Sequence, residues 1–383
     1  MNRGESGQYV QAHVGNEVVN AFLPAPLPPL PPLKLDGPLV QALEAANLAL
    51  GRLDGVSTLL PDPGLFLYSY IRKEAIYSSQ IEGTQSSLSD LLLFEMNEMP
   101  GVPLSDASEV SQYVAAMTHG LQRMQEGFPL SNRLLREIHE ILLSHGRGSA
   151  KDPGEFRRSQ NWIGGTRPGN AKFVPPPHTE VKRLMSELEI FLHQGTELPV
   201  LIKAGLAHVQ LETIHPFLDG NGRVGRLLIT FLICHAGVLR EPLLYLSLYL
   251  KKHREEYYEH LDRVRMCGDW EAWLVFYLEG VRETADNAAA TAQKLGTLFQ
   301  EDRDRLQDRG RRAGSLLRVH DAMTRRPLVS IKDVVEQTGL TFPPVSSAME
   351  VLVEMGITRE FTGKERNRLF VYQRYLEILN DEG

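Results

Sequence analysis

Two shortages in the sequence narrow the class of protein: it has little cysteine and no long uninterrupted apolar run. The 383 residues include 2 cysteines, Cys234 and Cys267, which excludes a secreted scaffold held together by disulfides. The longest apolar stretch, residues 224–239, is interrupted by Arg226 and His235 and is too short to cross a bilayer. The N-terminal end also lacks the basic-then-apolar pattern of a secretory signal. We therefore expect a cytoplasmic protein with no membrane span.

Excess positive charge is absent as well. Lys and Arg number 41 against 48 Asp and Glu, so the formal net charge is -7 and the pI is about 6.0. Overall charge therefore does not attract the chain to nucleic acid, and such a role would need a local basic patch. The length suggests two or three domains at roughly 150 residues each.

The sequence does contain a turn suited to binding anions, within residues 215–226. Its residues Gly220, Asn221 and Gly222 can direct successive backbone N–H groups into one concavity, which binds anions. The apolar residues that follow, over 224–232, have helical spacing. The turn should therefore lie at a helix N-terminus, where the helix dipole and the free N–H groups also favour negative charge.

Four side chains around this turn add further phosphate chemistry. Arg223 and Arg226 are three residues apart on one helical face, and both can make forked bonds to phosphate oxygens. Asp219 offers a hard oxygen ligand for Mg²⁺ that also contacts phosphate. His215 precedes the turn and can accept a proton near neutral pH. A plain turn ahead of a core helix would not need all four, so we predict a site that handles a polyphosphate.

Residues 215–226 resemble the Fic family motif, HxFx(D/E)GNGRxxR, and match it at every fixed position. The resemblance covers about residues 38–300 and implies a mainly α fold, a helical bundle with a β-hairpin flap. It implies an enzyme that transfers AMP from ATP to a Tyr, Thr or Ser hydroxyl of a target protein. The match at Asp219 and Gly222 argues against the related phosphate-transferring toxins, which depart from the full motif.

The resemblance also implies a role for each residue of the motif. His215 would be the general base for the target hydroxyl, and Asp219 would hold Mg²⁺ bridging the α- and β-phosphates. The other motif residues would bind the nucleotide, the turn cradling the phosphates and the arginines holding the outer ones: Gly220, Asn221, Gly222, Arg223 and Arg226.

A second segment resembles the family's inhibitory motif, (S/T)xxxE(G/N). Its residues are Ser78, Glu82 and Gly83, at the end of a helix predicted over 65–81. A Glu82 carboxylate brought to Arg226 would form a forked ion pair and occupy the arginine expected to hold the γ-phosphate. We expect Glu82 to inhibit the enzyme. The alternative is a surface glutamate at a helix C-terminus, where the dipole is unfavourable.

Apolar spacing and breakers such as Pro61 and Pro63 divide the chain. The predicted divisions are a proline-rich, irregular arm with polyproline II character over 1–37, a helical region with the inhibitory motif over 38–110, the catalytic core and supporting helices over 111–300, a charged linker over 301–312, and a winged-helix domain over 313–383.

Residues 156–177 are predicted to form a β-hairpin flap, because two short β-type runs flank glycines and a proline. In the Fic family the corresponding flap docks the target segment by strand addition, which aligns a peptide without demanding one sequence. The flap could equally be a small structural cover over the core, and both interpretations can hold.

The segment 313–383 resembles a winged helix-turn-helix. Its wing residues Lys364, Arg366 and Arg368 could contact DNA phosphates. The expected reading helix, about 343–355, has no Arg or Lys to reach base edges, which favours protein contact or dimerisation instead. DNA binding and a homodimer both stay open.

Two other functions are compatible with the same residues. The site could remove AMP from a modified target, with Glu82 orienting the water. The chain could also be a nucleotide-sensing, DNA-binding regulator that acts through 313–383. The sequence does not identify the target protein.

Overall fold

Most of the described chain is α-helical, as the sequence predicted. The computed structural model describes residues 3–15, 17–59, 64–195, 197–364 and 366–381. Fifteen α-helices lie in these ranges: α1 (Gly37–Leu59), α2 (Gly64–Ile81), α3 (Leu88–Glu95), α4 (Leu104–Gln125), α5 (Asn132–Leu142), α6 (Val181–His193), α7 (Val200–Ile214), α8 (Asn221–His235), α9 (Ser247–Lys252), α10 (Arg254–Cys267), α11 (Trp270–Gln307), α12 (Ala313–Arg325), α13 (Ile331–Thr338), α14 (Phe342–Glu354) and α15 (Gln373–Asn380). Pro61 and Pro63, the expected breakers, lie outside the described residues.

Helices α7 and α8 form the centre of the bundle and carry the motif between them. Residues 201–214 of α7 are buried apart from the partly buried Lys203, and residues 223–233 of α8 are buried throughout. Most positions of both helices carry apolar side chains, which is typical of helices that are buried on every side. Around this pair, α1 packs along α11, and α2 packs against α4 and α9. None of the helices in the described ranges is both long and apolar enough to span a bilayer.

The expectation of an irregular N-terminal arm over 1–37 was wrong for its first part. Strands β1 (Gly7–Val14) and β2 (Glu17–Pro24) pair as an antiparallel hairpin, whose apolar face packs on Val174. The reason is an alternation of apolar and polar side chains over 10–14, which is typical of a half-buried strand. The prolines that favour polyproline II begin only at the end of β2.

The flap predicted as a β-hairpin over 156–177 is a loop closed by one β-bridge. Ile163 N donates to Phe173 O at 2.8 Å, and Phe173 N donates to Ile163 O at 3.1 Å. Four prolines in the segment remove N–H donors that a longer ladder would need. The N-terminal hairpin braces the flap instead, because Phe22 N donates to Val174 O at 2.9 Å.

The last part of the chain has an order of elements compatible with the predicted winged helix. After α12 come β3 (Leu328–Ser330), α13 and α14, then β4 (Arg359–Glu360) and β5 (Leu369–Val371). The three strands form an antiparallel sheet in the order β3-β5-β4. Ser330 caps α13, because its hydroxyl accepts the Asp333 N–H.

The charged linker predicted over 301–312 was wrong for much of its length, because α11 continues into it. Phe299, Asp302 and Leu306 recur every three or four residues and are buried on one face of the helix. Asp302 accepts a hydrogen bond from the Tyr372 hydroxyl at 2.7 Å. This bond ties α11 to the C-terminal part of the chain.

Candidate active site

His215 lies at the end of α7 in a left-handed turn. Its φ and ψ are 50° and 60°, and its N–H donates to Leu211 O at 2.8 Å. A left-handed backbone costs a non-glycine residue about 1–2 kcal/mol, so the turn needs support. Arg157 supplies it, since its Nε donates to His215 O at 2.9 Å and its backbone N–H donates to Pro216 O at 2.9 Å. Sequence reasoning missed this buried arginine, because its partner is 58 residues away.

The imidazole of His215 is uncharged at neutral pH. Its side chain is 19% exposed. Burial lowers the pKa of His215 to about 3, and the nearby Arg157 guanidinium acts in the same direction. A neutral imidazole keeps a free lone pair, which is the form that can accept a proton.

Asn221 shapes the turn with its side chain. Its Oδ1 accepts the Phe217 N–H at 2.8 Å and its Nδ2 donates to Phe217 O at 2.9 Å, and the residue is buried. Gly220 precedes α8 at φ 76°, in the left-handed region that favours glycine. The predicted contribution of Asn221 to a phosphate site is therefore through its backbone N–H, because the side chain is already engaged.

Asp219 presents a carboxylate at the rim of the turn. Its Oδ1 accepts the Gly220 N–H at 2.6 Å, and Arg223 Nη2 lies 3.6 Å from the same oxygen. The side chain is 32% exposed, which leaves it accessible to a ligand. Within the described residues, no group of three or more His, Cys, Asp or Glu could hold a metal ion. A single accessible carboxylate fits Mg²⁺, which takes one or two protein carboxylates and otherwise water and substrate phosphates.

His139, in α5, hydrogen-bonds the backbone of the turn, and we did not predict this residue as part of the site. Its Nδ1 accepts the Gly154 N–H at 2.8 Å, so the ring proton is on Nε2, which donates to Asp219 O at 3.0 Å. The ring also stacks on Phe217 at 3.8 Å between centroids. Burial lowers the pKa of His139 to about 4, which keeps the ring neutral.

Arg226 is buried and faces the end of α2. Its Nη2 donates to Glu82 Oε1 at 2.7 Å and to Ser78 O at 3.0 Å, and its Nε donates to Ser78 Oγ at 2.8 Å. The expected pairing of Glu82 with Arg226 is therefore present in the structure. The pair is not forked as we expected, because Glu82 accepts from Nη2 alone and the Nε of Arg226 donates to Ser78 instead.

The Glu82 carboxylate covers the glycine turn. A Cβ atom at position 222 would collide with Glu82 Oε1, so Gly222 lets the carboxylate approach the backbone. Gly83, at φ 104°, turns the chain away after Glu82. Although burial opposes its charge, the Arg226 guanidinium holds the pKa of Glu82 below its usual value. Glu82 is therefore ionised where it meets the helix N-terminus.

Arg223 is completely buried, although we expected it to hold the outer phosphates. Its Nη1 donates to Glu109 Oε1 at 2.7 Å, a carboxylate on α4 that sequence reasoning missed. Its Nε and Nη2 are buried and have no hydrogen-bond partner among the described residues. These two donors, beside Asp219, are the part of Arg223 that remains suited to an anionic ligand.

Replacing Glu109 with Gln is expected to lower the free energy of unfolding by about 3 kcal/mol, because Arg223 stays buried and loses the nearer of its two counterions. Urea denaturation measures the change. The control is Glu98→Gln, which breaks a half-exposed pair with Lys364 and should cost less than about 1 kcal/mol. Equal losses in the two variants would contradict this account of Glu109.

Two family models match the chain over the helices that build this site. The model described as Fic/DOC family N-terminal matches residues 40–122, and the model described as Fic/DOC family matches residues 129–233. The first range contains Glu82, and the second contains all of residues 215–226.

Proteins named protein adenylyltransferase Fic match just over half of the chain. The protein adenylyltransferase Fic of Culex quinquefasciatus is 31% identical over 218 residues, which is 55% of this chain and 40% of the relative. The protein of the same name from Drosophila grimshawi is 29% identical over 227 residues, with coverages of 56% and 43%. The chain thus spans less than half the length of these relatives.

Solved structures share the fold. The crystal structure of a Fic family protein from Desulfovibrio desulfuricans matches with a TM-score of 0.60 at 19% identity, covering 89% of this chain and 98% of that one. Fic-1 from C. elegans matches with a TM-score of 0.53 at 22% identity, covering 67% and 75%. The predicted mainly helical, Fic-type fold is therefore confirmed.

Fold and site together define a helical protein with a glycine turn at the N-terminus of α8. Glu82, at the end of α2, covers this turn. The two family models that match residues 40–122 and 129–233 identify the family to which this class of protein belongs. The chain belongs to the Fic/DOC family.

Proposed function

We propose that the chain is a protein adenylyltransferase, which transfers AMP from ATP to a hydroxyl group of a target protein. The observation that carries the proposal is the position of His215, at the end of α7 and directly before the glycine turn at the N-terminus of α8. The named relatives are called protein adenylyltransferases, which supports the same reaction. A base next to a phosphate-binding turn is what transfer of a nucleotidyl group to an alcohol needs.

In this reaction His215 would accept the proton of a Tyr, Thr or Ser hydroxyl as the oxygen attacks the α-phosphorus of ATP. A bond forms between that oxygen and the α-phosphorus. The bond between the α-phosphorus and the oxygen that bridges to the β-phosphorus breaks, and pyrophosphate leaves with the electron pair. The products are a phosphodiester of AMP on the target, pyrophosphate, and a protonated His215 that then releases its proton.

The phosphates would bind at the start of α8. The first bond within this helix runs from Val224 N to Gly220 O at 3.0 Å. The N–H groups of residues 221–223 therefore have no partner inside the helix, and they can donate to phosphate oxygens. Arg226 would hold the γ-phosphate, and the Nε and Nη2 groups of Arg223, which make no hydrogen bond to the described residues, would add to the positive potential. Asp219 would hold Mg²⁺, which supplies positive charge to the phosphates when it is bound.

Glu82 would inhibit the enzyme by taking the place of the γ-phosphate. Its carboxylate is ionised, bonds Arg226 and lies over Gly222, so an outer phosphate and Glu82 compete for one position. Ser78 would orient Arg226 for either partner, because it bonds the side of the guanidinium that Glu82 leaves free.

The target would dock on the flap, residues 156–177. Arg157 links this segment to the catalytic turn, so a peptide aligned on the flap would lie close to His215. The single bridge between Ile163 and Phe173 leaves backbone groups of the flap for strand addition. Binding of DNA or of a second copy through 313–383 stays a prediction.

The pH profile of the Glu82→Gly variant tests the role of His215. A base acts in its neutral form, and a lowered pKa preserves that form in more acidic solution. We expect kcat/KM for AMP transfer to stay nearly constant from about pH 8 down to about pH 5.5. An acid limb centred near 6.5, the ordinary value for histidine, would show that the imidazole is not held as proposed.

Mass spectrometry of a cell lysate incubated with Glu82→Gly, ATP and Mg²⁺ tests the function and identifies the target. We expect one or a few proteins to carry AMP on a Tyr, Thr or Ser side chain. Loss of AMP from proteins that already carry it would instead support the removal reaction. A lysate unchanged in both respects would overturn the proposal.

A further inference from the structure

Arg147 contacts the inhibitory turn although it lies outside both motifs. It belongs to the loop that follows α5, and its Nη2 donates to Glu82 O at 3.1 Å. The same nitrogen lies 3.2 Å from Glu109 Oε1, the carboxylate oxygen that also accepts from Arg223. The Arg147 guanidinium therefore bonds two groups. One is the backbone of the turn that would block the nucleotide, and the other is Glu109, the counterion of Arg223.

The loop that carries Arg147 borders the proposed metal ligand. Gly146 and Gly148 on either side have φ of 74° and 89°, in the left-handed region. A Cβ atom at position 148 would lie 2.9 Å from Asp219 Oδ2, so the absence of a side chain there lets the loop approach Asp219. Arg147 is thus held at the end of the site where the outer phosphates would lie.

Arg147 also differs from the motif arginines in its freedom to move. Its side chain is 52% exposed, whereas those of Arg223 and Arg226 are 1% and 2% exposed. A half-exposed arginine can change partner without leaving a buried charge uncompensated, so it can follow a ligand that enters the site.

The ion pairs around Arg147 contain equal numbers of positive and negative groups while Glu82 is in place. Three guanidinium groups, those of Arg147 and the two motif arginines, meet three carboxylates, those of Glu82, Glu109 and Asp219. If the inhibitory turn withdraws, one carboxylate is lost and Arg147 loses the carbonyl to which it donates. A polyphosphate supplies both the negative charge and the acceptor oxygens.

We propose that Arg147 is a third phosphate-binding arginine, which binds the outer phosphates of ATP once Glu82 has withdrawn. This inference rests on the proposed function. In the resting chain the inhibitory turn occupies Arg147 through its backbone and Arg226 through its carboxylate. ATP and the turn therefore compete for two arginines, one buried and one at the surface.

The test compares nucleotide binding by full-length Glu82→Gly with and without Arg147→Ala. Calorimetric titration with Mg²⁺ and α,β-methylene-ATP, which cannot be cleaved at the α–β position, measures binding without turnover. We expect Arg147→Ala to weaken binding of this analogue by about tenfold, the usual effect of one lost charge-assisted hydrogen bond. AMP has no outer phosphates, so its affinity should be unchanged, which also shows that the variant is folded. Arg147→Lys should recover part of the loss.

The control is Arg183→Ala in the same background, since this arginine of α6 pairs only with its helix neighbours Glu180 and Glu187 among the described residues. Equal affinity of the Arg147→Ala variant and its parent for the ATP analogue would overturn the inference while leaving the proposed function intact. Equal weakening for the analogue and for AMP would also overturn it, because the contact would then not be with the outer phosphates. If the Glu82→Gly parent binds neither nucleotide, the proposed function itself fails, and the inference with it.

Discussion

Glu82→Gly is expected to raise the rate of AMP transfer by about 10- to 100-fold. The substitution removes the carboxylate that bonds Arg226 at 2.7 Å and lies over Gly222. A hydrogen bond to a charged group contributes about 1.5–3 kcal/mol, and the rate should rise by the corresponding factor if ATP must displace it. Incorporation of radioactivity from α-labelled ATP into protein measures the effect.

Comparing Glu82→Gln with Glu82→Gly separates the effect of the carboxylate's charge from the effect of the side chain's size. Glu82→Gln keeps an oxygen acceptor for Arg226 and removes the charge, so its activity should lie between those of wild type and Glu82→Gly. Glu126→Gly is the matched control, because Glu126 follows the C-terminus of α4 as Glu82 follows that of α2, and it bonds only its own helix neighbours among the described residues. Activity of Glu82→Gly no higher than that of wild type would refute inhibition by Glu82.

His215→Ala, introduced into the Glu82→Gly variant, should lower the rate by about 10²- to 10⁴-fold, the usual contribution of a positioned general base. Nucleotide binding should persist, because the α8 N-terminus and Arg226 remain. Single-turnover measurements with saturating ATP isolate the chemical step from binding.

His235→Ala in the same background is the control for this prediction, because His235 is exposed at the far end of α8. It should leave the rate unchanged. A rate for His215→Ala within a few-fold of its parent would mean that another group accepts the proton.

The part of the fold that sequence reasoning predicted is the part with strong local periodicity. The apolar spacing over 224–232 predicted the helix that is α8 and placed the turn at its N-terminus, because side chains three and four residues apart share a face. A comparable helical spacing of buried side chains also runs from Phe299 to Leu306 at the end of α11. The many charged residues on the solvent-facing side of that segment led us to predict a linker instead. Phe299 is buried against the rings of His320, Tyr372 and Tyr375, which come later in the chain, so its burial could not be predicted from the local sequence.

The candidate site was predictable where its residues are contiguous. The types and spacing of residues 215–226 predict a phosphate-binding site, and the pairing of Glu82 with Arg226 was expected from the resemblance of two separate motifs. The supporting residues Arg157, His139 and Glu109 were not found, because each acts on a partner 58 to 114 residues away. No local pattern distinguishes a buried arginine that donates to carbonyl groups from one on the surface.

The burial of Arg223 has the same physical origin. The helical spacing places it on the same face as Arg226, but the fate of its charge depends on Glu109, which α4 brings to it. A motif specifies which side chains are present, and the packing of distant helices decides which of their atoms can still reach a ligand.

The most direct measurement of the central claim uses two samples of ATP, labelled with ³²P at the α- or the γ-position, with the Glu82→Gly variant, Mg²⁺ and a cell lysate. Because kinases of the lysate transfer the γ-phosphate by themselves, the signal is the protein labelling that exceeds that of the same lysate with the variant that also carries His215→Ala. Transfer of AMP predicts such an excess with α-labelled ATP and none with γ-labelled ATP. An excess from the γ-position, or no excess from either, would contradict the account.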